Sequence, residues 1–89
     1  MNKQRRTSLA EISQRISDLT SEAETLRDAL RDLCEEEQDY FDNMPEGLQG
    51  GERGESSQEA INQLEDAITT LDDMVSADIG GMVDNAIAN

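Results

Sequence analysis

Apolar residues recur every three or four positions between Leu9 and Leu33, which is the spacing of a helical seam. The members of this seam are Leu9, Ile12, Ile16, Leu19, Ala23, Leu26, Leu30 and Leu33. A repeat of about 3.5 residues keeps such side chains on one narrow line, so a second helix packs alongside with a slight left-handed twist. The next position in the series is Glu37, where the seam ends. The pattern predicts one long amphipathic helix over about residues 8–42.

Local signals set the expected ends of this first helix. A capping box predicts a start at Ser8, because Glu11 stands three residues later and its carboxylate reaches back to a free amide. Thr7 is the competing cap. Pro45 disfavours helical backbone at the residue before it, so the helix is expected to end near Asp42.

A connection over residues 43–55 follows, with the only proline and four of the six glycines. We expect one short turn over residues 45–49, with the proline at its first position and Asn43 as its cap. Three apolar side chains are expected to point inward and close this end of the molecule. They are Phe41, Met44 and Leu48.

A second helix is predicted over about residues 56–77, because residues 56–59 match another capping box. Its apolar residues are Ala60, Ile61, Leu64, Ala67, Ile68, Leu71, Met74 and Val75. This stripe is wider than a two-stranded seam, which favours a bundle. Two steps of four residues lead from Leu71 to Ile79, and paired glycines follow at 80–81. Residues 78–89 are therefore predicted as a kink or a separate short helix.

These elements predict a single all-α domain over residues 1–89, folded as an antiparallel, coiled-coil-like two-helix hairpin. Aromatic residues make up only 2% of the chain, so the core must be aliphatic. Two helices leave much apolar surface open, and pairing two hairpins into a four-helix bundle covers it. We expect a homodimer. The antiparallel arrangement sets acidic residues of the C-terminal segment beside basic residues of the start, namely Asp78, Asp84, Lys3, Arg5 and Arg6.

The charge of the chain narrows the class of partner. Seven basic residues oppose 21 acidic ones, giving a net charge of −14. Such a field repels nucleic acid and anionic membranes, so we predict no direct binding to either. A basic protein surface is the natural partner, and solubility alone is the other explanation. No apolar run approaches the ~20 residues that a membrane span needs.

Catalysis and metal binding find little support in the residues. The chain has no histidine to serve as a base, and its single Cys34 is expected to be a small buried side chain in a reducing compartment. The oxygen-bearing residues near the turn are Asp39, Asp42, Asn43 and Glu46. Their spacing does not match an EF-hand loop. We predict a non-enzymatic protein with no cofactor and no metal site.

The densest charge lies in residues 28–42, where seven carboxylates are opposed only by Arg31. Acids near a helix C-terminus oppose the helix dipole, and like charges four residues apart repel each other. A local cost of this kind indicates functional use, and a solvated face is the alternative. The candidate partner-binding residues, with two apolar anchors, are Asp28, Asp32, Glu35, Glu36, Asp39, Tyr40, Asp42 and Met44.

Residues 36–49 read EEQDYFDNMPEGLQ, and residues 54–65 read GESSQEAINQLE. This pair of segments resembles a group of small acidic accessory proteins encoded by tailed bacteriophages, in which an EEQxxFDNMPExLQ core precedes an acidic GExxxxAIxxLE helix. The match covers about residues 36–68. The resemblance implies a phage product that acts in the bacterial host cytoplasm, without implying a mechanism.

We therefore predict a protein that binds a basic surface of a host or phage protein. Residues 28–42 would supply charge at the spacing of phosphates, so the protein would inhibit by mimicking nucleic acid, in an anti-defence or host-takeover role. The alternative is a structural or assembly coiled-coil accessory protein that acts through homo-oligomerisation.

Overall fold

The computed structural model describes residues 1–89 and contains four helices and no strands. The helices are α1 (Lys3–Asp42), α2 (Glu46–Gln49), α3 (Glu52–Ser76) and α4 (Ile79–Ala88). Helices α3 and α4 run back along α1, giving a rod that measures 67 × 15 × 14 Å. The prediction of an all-helical, elongated hairpin with a separate C-terminal helix is confirmed. None of the four helices combines the length and the apolar character that crossing a membrane requires.

Helix α1 begins five residues before the predicted start at Ser8. The side chain of Asn2 accepts a hydrogen bond from the backbone N–H of Arg5 at 2.8 Å, so Asn2 caps the helix and the predicted capping box lies inside it. The end at Asp42 agrees with the prediction. Asn43 was expected to cap the next turn, but its side-chain amide donates instead to the carbonyl oxygen of Asp39 at 2.8 Å.

The connection folds back over the end of α1. The side-chain amide of Gln49 donates to the carbonyl oxygen of Phe41 at 3.1 Å, which ties α2 to α1. Phe41 and Met44 are half-buried, as expected of residues that close this end. The inward orientation predicted for Leu48 is wrong, because its side chain is 48% exposed on the outer side of the one-turn helix α2.

Helix α3 begins at Glu52, four residues before the predicted cap at Ser56. Ser57 therefore lies inside the helix, where it is buried and donates a hydrogen bond to the carboxylate of Glu37 at 2.7 Å. The early start brings the backbone of Gly54 against the backbone of Gln49. Glu37, which interrupts the seam in the sequence, thus has a polar partner across the hairpin.

The apolar seam of α1 divides between two directions. Its members Leu9, Ile16, Ala23 and Leu30 face α3 or α4 and are buried or half-buried. The other members are 45–58% exposed, as is Tyr40 one heptad later. We call this exposed set the apolar stripe; it consists of Ile12, Leu19, Leu26, Leu33 and Tyr40. The prediction that the whole seam faces one partner helix is wrong, because one helix covers only one side of it.

Residues outside the apolar seam occupy other positions of α1 that face α3, and one of them is Arg27. Its guanidinium contacts Asp72 of α3 at 2.8 Å and Asp28 at 3.2 Å, and the side chain is only 18% exposed. Hydrogen bonds to Asp72 and then to Asp28 raise the pKa of Arg27. Arg31 adds a second contact to Asp72 at 3.4 Å. This cluster joins the two arms near the middle of the rod.

Helix α4 starts after a left-handed residue, Asp78, with φ 52° and ψ 49°. The side chain of Asp78 accepts from the backbone N–H of Gly81 at 3.2 Å, so the kink predicted near the paired glycines is confirmed. At the far end, Arg6 donates to the carbonyl oxygen of Ile87 at 3.3 Å, and Ser13 donates to Asp84 at 2.5 Å. No ion pair joins the basic start to the acidic segment that it was expected to accompany.

Cys34 is buried against α3, with its sulfur 4.0 Å from the carbonyl oxygen of Ile61, itself 1% exposed. The role expected of Cys34 as a small buried side chain is confirmed. Burial raises the pKa of the thiol, and the negative charge of Glu65 raises it further. Burial therefore limits the access of reagents to the sulfur, and the raised pKa disfavours the reactive thiolate at neutral pH.

We expect Cys34 to react with a thiol reagent roughly tenfold or more slowly than an exposed thiol, because thiolate fraction and access control the rate. The comparison uses a Cys34→Ala, Ser21→Cys variant, since Ser21 is exposed on the same helix. Absorbance on release of the reagent's chromophore measures both rates. Denaturant should bring the two rates together, and equal rates in the folded state would contradict the burial of Cys34.

Gly54→Ala should destabilise the fold by roughly 1–3 kcal/mol, the usual cost of overpacking, because the added Cβ would overlap the backbone of Gln49. Gly50→Ala is the matched control. No atom lies within 4 Å of the position of its Cβ and its φ is −85°, so that change should be neutral or stabilising. Urea unfolding at one fixed protein concentration measures both variants. If Gly54→Ala and Gly50→Ala changed the free energy of unfolding equally, the close contact between Gly54 and Gln49 would be contradicted.

Candidate functional site

Acidic residues line the side of α1 that points away from α3. They are Asp28, Asp32, Glu35, Glu36 and Asp39, and we call them the acidic face. Steps of three and four residues place them on one side of a helix. Helix α3 contacts the opposite side of α1, where Leu30, Cys34 and Glu37 are buried or half-buried. All five carboxylates are exposed.

Basic neighbours divide the acidic face into two parts. Asp28 lies 3.2 Å from Arg27 and 3.7 Å from Arg31, so its charge is largely balanced within the chain. The other four carboxylates have no basic partner. Residues 32–39 are therefore the strongly negative part of the predicted site, a distinction that the sequence alone did not make.

Asp42 continues the acidic run into the last turn of α1. Its carboxylate accepts a hydrogen bond from the side chain of Gln38 at 2.9 Å, and its side chain remains exposed. Helix α1 has no basic residue in its last turn to balance this charge. Asp42 thus extends the negative surface toward the connection.

Tyr40 and Met44 lie away from the acidic face. Tyr40 is 51% exposed and borders an open groove between α1 and α3, whereas Met44 is half-buried at the closed end of the hairpin. The groove, which we call the apolar groove, is lined by Leu33, Glu36, Glu37, Tyr40, Ala60 and Leu64. The eight predicted site residues thus belong to two surfaces and to the core, and Glu36 lies at the edge of both surfaces.

The apolar residues that line this groove belong to longer series of apolar residues on both helices. On α1 the apolar stripe repeats every seven residues from Ile12 to Tyr40. On α3 the same spacing carries Ala60 on to Ala67 and Met74, with Leu64 and Leu71 beside them. Repeats of seven residues return to nearly the same side of a helix, so apolar side chains run along one flank of the rod.

The groove on the opposite flank of the rod is mostly polar. On α1 it is bordered by Ile16 and by five polar residues, which are Ser13, Ser17, Thr20, Ser21 and Glu24. The apolar flank was missed at the sequence level because all seam residues were assigned to one interface. A signal for this division was present in the sequence. Ser13 and Arg27 occupy one heptad position, which faces inward, and that position directly follows a stripe residue in each heptad.

No group of three or more His, Cys, Asp or Glu residues is arranged to hold a metal ion. Near the turn, the side chain of Asn43 donates to the backbone carbonyl oxygen of Asp39, and the carboxylate of Asp42 accepts from the side chain of Gln38. The arrangement therefore offers two extended surfaces, one anionic and one apolar, and both are suited to contact with a macromolecule.

Comparisons with protein-family models, with curated proteins and with solved structures find no match for this chain.

Proposed function

We propose that this protein is a non-enzymatic binding protein that places its acidic face on a basic surface of another protein. The observation that supports the proposal is the row of exposed carboxylates without basic partners at Asp32, Glu35, Glu36 and Asp39. They project from α1 on the side opposite to α3. A net charge of −14 adds a long-range field that attracts a basic partner.

The charge spacing favours a surface that normally binds nucleic acid. The four carboxylates of the acidic face that have no basic partner cover residues 32–39, which span about 10.5 Å at ~1.5 Å per residue. They therefore give one charge per roughly 3.5 Å along the helix, close to the ~3.4 Å between phosphates along one strand of DNA. A groove that binds phosphates would accept this helix, and the protein would act there as a competitor.

The resemblance of residues 36–68 to phage accessory proteins supports a specific setting for this activity. We infer that the protein acts in the bacterial host cytoplasm. Its target would be a host or phage protein that handles nucleic acid, in an anti-defence or host-takeover role.

A second candidate function, homo-oligomeric assembly, is favoured by the apolar stripe. Five large side chains that are 45–58% exposed in a single line form an apolar surface of the kind that marks an interaction site. A dimer that buries the stripe would be a four-helix bundle. The two functions are compatible, because they use different sides of the rod. The acidic face points away from α3, whereas the stripe lies on one flank of the rod.

Neutralising the acidic face should abolish binding to the target. In the variant Asp32→Asn, Glu35→Gln, Asp39→Asn, we expect proteins captured from a bacterial lysate by the wild type to be lost. Double-stranded DNA added to the wild-type complex should release the same proteins, since both ligands present phosphate-like charge. Quantitative mass spectrometry of the captured proteins measures both effects.

The matched control is Glu59→Gln, Glu65→Gln, Asp66→Asn, which changes the net charge equally on exposed positions of α3. It should retain the captured proteins. Equal loss in both variants would show that net charge alone attracts them. Retention in both would refute the acidic face as the binding site.

Polar substitution in the apolar stripe should convert a dimer into a monomer. We expect the wild type to sediment at about twice the chain mass of 9.8 kDa, and Leu19→Asn, Leu33→Asn at about that mass, because each removes a large buried side chain from the interface. Leu48→Asn is the control, since Leu48 is also about half exposed, at 48%, but lies outside the stripe. A wild-type monomer would refute the assembly function.

A further inference from the structure

We propose that a second copy of the chain covers the apolar stripe in antiparallel orientation, with the two-fold axis beside Leu26 and Arg15 of each copy paired with Glu36 of the partner subunit. This inference rests on the proposed dimer and adds its orientation, its register and its charged pair.

The stripe is self-complementary when it is reversed. Its five members are spaced by seven residues on either side of Leu26. Reversal therefore sets Ile12 against Tyr40 of the partner subunit, and Leu19 against Leu33 of the partner subunit. A shift by one heptad would leave one end of the stripe uncovered, so only the register centred on Leu26 covers every member. A two-fold interface of this kind uses the same patch on both copies.

A parallel dimer in register would cover the stripe equally well, so charge must decide between the two orientations. The end of the rod formed by residues 1–15 and 76–89 carries four basic and three acidic side chains, whereas the end formed by residues 35–59 carries nine acidic and one basic. Parallel pairing sets the two strongly acidic ends side by side. Antiparallel pairing sets each acidic end beside the nearly neutral end of the other copy, where the basic residues of its start lie, and this arrangement reduces the repulsion between like charges.

A second series of residues, beside the stripe on α1, also favours the antiparallel orientation. Three residues after each stripe position on α1 lies a second series, which consists of Arg15, Glu22, Ala29 and Glu36. Arg15 and Glu36 are exposed and make no ion pair within the chain. In the antiparallel register they meet twice, once on each side of the axis. In a parallel dimer the two-fold axis would run along the rods and place the two copies of this series on opposite sides of the seam, so Arg15 would not meet Glu36 of the partner subunit.

Residues near the axis and the size of the flank also fit a second copy. Ala29 lies opposite Glu22 of the partner subunit in this register, so a small side chain allows close approach of the helices. A side of the rod measures 67 by 15 Å, which is about 1,000 Å², compared with the ~800 Å² that each partner buries in a standard interface. In the resulting dimer Glu36 belongs to the interface, and Asp32, Glu35 and Asp39 of each copy remain unpaired, so the dimer carries two acidic faces related by the two-fold axis.

Disulfide trapping distinguishes the orientations. In a Cys34→Ala background, we expect Ile12→Cys and Tyr40→Cys chains to form a mixed disulfide when combined and oxidised, and neither to cross-link efficiently alone. Leu26→Cys should cross-link by itself, because it lies at the axis. Mass spectrometry identifies each product, since the two single-cysteine chains differ in mass.

Two opposite outcomes have different meanings. If Ile12→Cys and Tyr40→Cys each cross-link to themselves and not to each other, the dimer is parallel and this inference is wrong, while the dimer itself stands. If Leu26→Cys does not cross-link and the wild type sediments as a monomer, the proposed dimer fails.

Charge reversal gives a second, independent readout. Arg15→Glu should weaken the dimer about tenfold, as expected for two exposed ion pairs replaced by repulsive pairs, and the double change Arg15→Glu, Glu36→Arg should restore it. Arg53→Glu is the control for net charge, because Arg53 is exposed on α3 outside the stripe. Sedimentation equilibrium measures the dissociation constants. Failure of the double change to restore the dimer would overturn the predicted pair.

Discussion

The fold depends on a single line of contact between α1 and the returning helices. Two helices in a rod 67 Å long and about 15 Å thick shield each other on one side only, and just five of 89 residues are buried. Ala23, Cys34 and Ile61 supply the apolar part of this line. A core this thin stabilises a short chain weakly, because most of the apolar surface stays in contact with water. The remaining surface of each helix is therefore free to carry other interactions.

Polar contacts, rather than a close-packed interior, fix how the arms are aligned. Ser13 reaches Asp84 near one end, Arg27 reaches Asp72 in the middle, and Ser57 reaches Glu37 near the connection. A heptad pattern of aliphatic residues permits sliding by one repeat, whereas specific polar partners exist in one register only. The hairpin thus places polar residues at several inner positions and leaves leucines on its flank. These exposed leucines form the surface that the proposed second copy would cover.

The position of α3 also determines on which side of α1 the negative charge is exposed. Helix α3 covers one side of α1, so the carboxylates of the acidic face lie on the other side in full contact with solvent. They lie toward the C-terminal end of α1, where the helix dipole disfavours them and no basic residue in the last turn balances it. Contacts with α3 and the cap formed by Asn43 hold this part of the helix in place. The arrangement resembles a rigid row of phosphates more than a flexible acidic tail.

The sequence by itself determined the helices, the break near Asp78 and the burial of Cys34, because periodicity and glycine placement act locally. It misjudged where α1 and α3 begin, since Asn2 caps α1 ahead of Ser8, and α3 begins at Glu52, ahead of the capping signal at Ser56 and without a side-chain cap. Only the tertiary structure decided which seam residues face inward. A spacing of three and four residues defines a band wide enough for two partners, and the position of α3 assigns Ala23 to one side and Leu26 to the other.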